Sequence, residues 1–175
     1  MKRNATIFYH GIMVKSFFFA YYFYIDVPED YEHSKQIESF REGLGLGGKF
    51  GSLFEEGLYS NVTDELIPGE QYMISVFVIR KDKSLAECVS FLKSQKDVVL
   101  VGTQGLLFLA MNYKDELPFG SMAISIDKKR ALPIIDGEPL ASALFKSMGG
   151  RLSLNLLSIR NKFDELHCIL SFTRE

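Results

Sequence analysis

The sequence predicts an α+β fold: a mainly antiparallel sheet of about seven to nine strands, with about three helices packed on one face of it. Three observations predict it. Runs of strand-forming residues with period-two alternation recur along the chain and follow one another in its second half. Between them stand three segments with helical apolar stripes and recognisable start or stop residues. The composition supplies the core: apolar residues make up 47% of the 175 residues and aromatic residues 13%. That length is one domain's worth of chain. We therefore read 1–175 as a single globular domain, with a flexible, glycine-rich acidic segment at 43–70.

The elements follow in order. The run from Ser16 to Ile25 is almost entirely Phe and Tyr and reads as a strand. At period two, one face carries Phe17, Phe19, Tyr21, Phe23 and Ile25, and the other Phe18, Ala20, Tyr22 and Tyr24. Both faces are apolar, as a central, two-sided strand requires. Thr6–Tyr9 is a candidate partner for it.

Pro28–Glu42 reads as a helix. Acids in its first turn suit the positive end of the dipole, Ile37, Phe40 and Leu44 form its stripe, and Gly43 stops it. Five glycines then fall within 43–51. Residues 52–69 are acidic and irregular and end in the Pro68-Gly69 turn. Gln71–Arg80 is a strand. Ser84 and Glu87 form a capping box, and the helix it opens runs to about Gln95, burying Leu85, Cys88, Val89 and Leu92.

Val98–Val101 and Leu106–Met111 read as strands around Gly102–Gly105. The second fits a short buried helix equally well, because periodicity does not separate the two. Met122–Asp127 and Leu132–Ile135 form a hairpin around Lys128, Lys129 and Arg130. Glu138-Pro139 opens a helix with the stripe Leu140, Leu144 and Met148, closed by Gly149-Gly150. A C-terminal hairpin follows. Matching its apolar faces sets Leu156 beside Cys168, Leu154 beside Leu170 and Leu152 beside Phe172. Its other face, with Arg151, Asn155 and His167, is polar enough to lie in water or line a wet cleft.

Composition excludes several functions. With 20 basic and 22 acidic residues the net charge is −2, which lacks the excess a wholesale nucleic-acid binder carries. Two cysteines, Cys88 and Cys168, make no disulfide framework, so a reducing, cytoplasmic setting is expected. The N-terminal Met1-Lys2-Arg3 is basic, but Asp26 and Pro28 follow the aromatic run and no small-x-small cleavage site appears. A ten-residue run is too short to span a ~30 Å hydrocarbon core as a helix, so no membrane is expected. The sequons at Asn4 and Asn61 carry no weight without a secretory signal.

Motifs give little chemistry. Gly43 to Lys49 matches most of a phosphate-binding loop, but Phe50 stands where the magnesium hydroxyl should be and a helix precedes it. The dinucleotide spacing of Gly43, Gly45 and Gly48 sits in the same wrong context, so a connector is expected. His10, His33 and His167 lack metal-ligand spacing. His167 and Cys168 are neighbours whose side chains point to opposite faces of a strand. Gly51-Ser52 and Gly120-Ser121 lack the second glycine of a nucleophile elbow. No cofactor and no metal are expected.

Charge is distributed unevenly. Residues 26–70 carry eleven acids against Lys35, Arg41 and Lys49, a net −8. Acids steer a basic partner over long range, and interspersed aromatics anchor it. The expectation is a non-catalytic module that binds a basic protein, of the toxin-neutralising, immunity-type inhibitor kind. Its surface would comprise Glu29, Asp30, Glu32, Glu55, Glu56, Asp64 and Glu65, with Tyr31 and Phe54 as anchors. The alternative is an enzyme or small-ligand binder whose cleft holds Arg151, Asn155 and His167. A homo-oligomer burying the aromatic excess is a third arrangement.

Overall fold

The computed structural model describes residues 16–43, 62–128, 132 and 134–175, with the side chains of 40–43 excepted. Several expectations lie outside that set: the Thr6–Tyr9 pairing, the glycine loop, the side chains of Phe40 and Leu44, and Phe54, Glu55 and Glu56. So do Lys129 and Arg130.

The described elements are β1 (Phe17–Asp26), α1 (His33–Gly43), β2 (Gln71–Ile79), α2 (Leu85–Lys93), β3 (Val98–Val99), α3 (Gly102–Asn112), β4 (Met122–Ser125), β5 (Ile134–Ile135), β6 (Glu138–Lys146), β7 (Leu152–Ser158) and β8 (His167–Arg174). A 3₁₀ turn, Lys114–Glu116, follows α3. The strands form one eight-stranded sheet in the order β1-β2-β8-β4-β6-β5, with β7 on β6 and β3 on β8. Every pairing is antiparallel except β4 with β8. The α+β class and the mainly antiparallel sheet are therefore as the sequence predicts.

Helices cover both faces of the sheet, not one. On the first face Tyr72, Ile74, Val76, Leu170 and Phe172 pack with α3 and with Ile37 of α1. On the second, Ile79, Ile124, Ala143 and Ile169 pack with Leu85, Cys88 and Leu92 of α2. The central strands are apolar at both parities because each parity has its own helical cover.

Among the described residues, outside which its expected partner Thr6–Tyr9 lies, β1 has one neighbour, β2, and ends the strand order. Its pairing with β2 shifts register between Phe19 and Tyr21. The bulge at Ala20 exchanges the faces: Phe17 and Phe19 lie opposite Ile79 and Phe77, while Phe23 and Ile25 lie opposite Ile74 and Tyr72. The odd positions are thus covered at both ends of the strand but on opposite faces of the sheet, while Phe18 and Tyr24 stay exposed.

The first helix starts later than expected. Pro28 begins a turn closed by Tyr31 N–H donating to the Pro28 carbonyl at 3.1 Å, and the first turn of α1 holds no acid. The acids precede this helix instead of opening it. The second helix begins as read: the Glu87 N–H donates to Ser84 Oγ, and the Ser84 N–H to Glu87 Oε2 at 2.9 Å.

Leu106–Met111 is helical. All residues of α3 from Gly102 to Ala110 are buried, so no stripe marks it. Gly105 lets it approach the sheet: a Cβ there would lie 2.6 Å from Phe172 Cζ.

The second half departs furthest from expectation. Glu138–Lys146 is strand β6, not a helix. Asp136 (φ 51°) and Gly137 (φ 77°) make a left-handed two-residue turn that folds β5 onto β6. β4 and β5 do not pair with each other; both pair with β6, at different stretches. β7 and β8 do not form a hairpin either. β7 pairs with β6, and β8 inserts between β2 and β4. Alternation specifies a strand's faces but leaves its neighbour open.

Lys146, 3% exposed, is a buried cation. Its ammonium donates to the carbonyls of Lys114 (2.6 Å) and Asp115 (3.2 Å) and lies over the Phe119 ring. It thereby ties the 3₁₀ turn to β6.

Candidate functional site

Two connections run side by side at one end of the sheet, those before α1 and before β2. The Val27 N–H donates to the Glu70 carbonyl at 3.0 Å, and the Gly69 N–H to the Val27 carbonyl at 2.9 Å. Gly69 (φ 79°) completes the Pro68 turn, and Glu29 Cγ lies beside it, 3.6 Å from where a Cβ would stand. This arrangement places Glu29, Asp30 and Glu32 at the same end as the 62–70 strap.

The strap is pinned to the start of α3. The Thr63 N–H donates to Asp127 Oδ1 at 2.9 Å. Asp64 Oδ2 accepts the Leu100 N–H at 2.8 Å, and Gln104 Oε1 accepts the Leu66 N–H at 2.7 Å. Asp127 itself is 1% exposed and sits where a Cβ on Gly102 would overlap its carboxylate. Burial, opposed by hydrogen bonds from Thr63 and Thr103, pushes its pKa up to about 6.

Between strap and α1 lies a pocket of about 360 Å³. Tyr31, His33, Ile37, Glu65, Leu66 and Gln104 are among its lining residues. The volume falls within the usual range for ligand clefts. The Tyr31 ring packs edge-on against Phe108 at 5.4 Å, and its hydroxyl donates to Gln36 Oε1 at 2.9 Å. Burial holds its phenol well above the usual tyrosine range, so it stays protonated.

The acidic residues fall into different roles. Glu29, Asp30 and Glu65 are exposed. Glu32 pairs with Lys35 at 2.7 Å. Asp64 is spent on the backbone of Leu100. Tyr31 is a half-buried wall of the pocket and does not project as an anchor. The sequence carries no signal for Gln104, which falls in the expected turn Gly102–Gly105, or for Asp127, at the end of the expected strand Met122–Asp127.

Arg151, Asn155 and His167 are not brought together. His167 lies in one lateral row with Met122, Phe145 and Ser153, so β4 and β6 separate it from β7. Three strand spacings amount to ~14 Å. The His167 Nδ1 is bound to Asp164 Oδ1 at 2.7 Å, and Asn155 Nδ2 donates to the Ser153 carbonyl. The cleft expected from a β7–β8 hairpin disappears with that hairpin.

Cys88 and Cys168 are free and buried, and burial pushes both thiols up to about 12. At neutral pH neither is a thiolate nucleophile. Among the described residues no group of three or more His, Cys, Asp or Glu is placed to hold a metal ion. No helix among them is long and apolar enough to cross a membrane. No family model matches the chain, and neither a curated protein nor a solved structure matches it.

Proposed function

We propose that this protein is a non-catalytic binding module that recognises a basic protein through its acidic end. The observation that carries the reading is the pocket in which the Glu65 carboxylate stands by the Tyr31 ring and the Gln104 amide, with Glu29 and Asp30 exposed nearby. A carboxylate beside an aromatic wall suits a lysine or arginine side chain. The surrounding acids would raise the rate at which such a partner arrives. An immunity-type inhibitor of a basic toxin is the finer form of the proposal. A cytoplasmic location belongs to it as well, supported by two cysteines that are free and buried.

The test is a triple charge reversal, Glu29→Lys, Asp30→Lys and Glu65→Lys, set against the basic partner captured by the unaltered protein. The reversed protein should associate at least about tenfold more slowly at low salt and lose most of its salt dependence. Equal capture at equal rates by the two proteins would end the proposal.

A further inference from the structure

The second sheet face is only partly covered. α2 lies over Ile79, Ile124 and Ile169, and the chain leaves the sheet after Lys93. Two lateral rows continue past its end on the same face: Tyr22–Ser75–Ser171 and Tyr24–Met73–Thr173. The turn of Gln95, Lys96 and Asp97 stands beside them. The β2 and β8 members of these rows and that turn enclose a cleft of about 200 Å³, with Met73, Ser75, Phe77, Gln95, Ser171 and Thr173 in its lining.

Ser75 and Ser171 face each other across β2 and β8, and each is only 2% exposed. Among the described residues neither hydroxyl has a hydrogen-bond partner. A buried hydroxyl is nearly always paired, so two adjacent unpaired ones in one cleft call for a ligand or ordered water. The Gln95 amide nitrogen donates to Phe91 and Ser94, which leaves its carbonyl oxygen as a further acceptor. At the side stand Tyr22 and Tyr24, packed edge to face at 5.7 Å, with Tyr24 46% exposed.

We infer that this cleft binds a neutral saccharide residue. A pyranose ring has an apolar C–H face, which suits Met73 and Phe77 in the lining, and a rim of hydroxyls, which both give and accept hydrogen bonds as Ser75, Ser171 and Thr173 require. An apolar side chain would leave the serines unpaired. A nucleic-acid phosphate finds only Lys96 in the lining, and that cation is paired with Asp97 at 3.6 Å. The volume lies below the ~300 Å³ at which drug-sized pockets begin, which suits a single ring. The cleft is separate from the acidic pocket.

The chain has no tryptophan and eight tyrosines, so tyrosine emission is readable, and Tyr22→Phe and Tyr24→Phe variants assign a change to the pair beside the cleft. Glucose, galactose, mannose and N-acetylglucosamine are each titrated into the full-length protein up to tens of millimolar. At least one should give a saturable change. Ser75→Ala and Ser171→Ala should each weaken that binding about tenfold without lowering the melting temperature, because the hydroxyl removed was unpaired in the free protein. No saturable response to any of the four sugars would overturn the inference. So would serine variants that bind as the unaltered protein does.

Discussion

Replacing Asp127 by asparagine should abolish a pH dependence of stability that is otherwise present. Asp127 is buried against Gly102 and accepts the Thr63 N–H, and burial raises its pKa to about 6. In the unfolded chain an aspartate titrates near ~3.9. Between those values the folded protein holds a proton that the unfolded chain has lost. Stability from this group is therefore full below about pH 4 and falls as pH rises through about 6. A shift of ~2 units at ~1.4 kcal/mol each gives ~3 kcal/mol in all. Glu87, Glu70 and Asp164 are lowered by their hydrogen-bond partners, so their contributions are lost on acidification, mainly below that window. Urea unfolding between about pH 4.5 and 7.5 isolates the Asp127 effect. The unaltered protein should lose ~2 kcal/mol on going up, the first ~1 kcal/mol having gone already by about pH 4.5. The asparagine variant lacks this titrating group and should lose ~2 kcal/mol less over the same range, with its whole profile offset by the ~1 kcal/mol of one poorer hydrogen bond. Equal slopes for the two proteins would refute the reasoning.

Three further substitutions test the packing. Gly102→Ala places a Cβ inside the Asp127 carboxylate at a φ of +41°, and should cost ~3–5 kcal/mol in urea unfolding; a loss under ~1 kcal/mol would contradict the geometry. Lys146→Met strands the carbonyls of Lys114 and Asp115 and should cost ~2–4 kcal/mol, with amide exchange rising first in the 3₁₀ turn. Ser84→Ala removes half of the capping box at α2 and should cost ~1 kcal/mol, read as a fall in the thermal midpoint.

Local signals in the sequence carried through wherever one residue type imposes one geometry. The Ser84/Glu87 box, the Pro68-Gly69 turn and the β2 alternation all stand as read. The failures share a cause, which is competition between a local pattern and a tertiary one. Glu138-Pro139 has the look of a helix start, yet Asp136-Gly137 just before it is the stronger signal, because a left-handed pair fits only a tight hairpin. α3 is buried all round, and its uniform apolar run erased the period that marks a helix. β7 and β8 have matching faces but different neighbours, since alternation says nothing about which strand lies alongside.

The candidate site was legible only in part. Its acids stand out as a charge run, and Glu29, Asp30, Glu32 and Glu65 share one end of the sheet. That Asp64 caps a backbone N–H, and that Tyr31 is a wall, depend on where α3 docks. The unpaired Ser75 and Ser171 were invisible, because they meet only once β8 inserts beside β2.

Amide-resolved NMR of the labelled protein, titrated with a short arginine-rich peptide, tests the recognition claim most directly. Shifts should concentrate on the backbone around Tyr31, Glu65, Leu66 and Gln104, and vanish in high salt or in the Glu65→Gln variant. Shifts spread over the whole surface, or absent from that pocket while other faces respond, would contradict it.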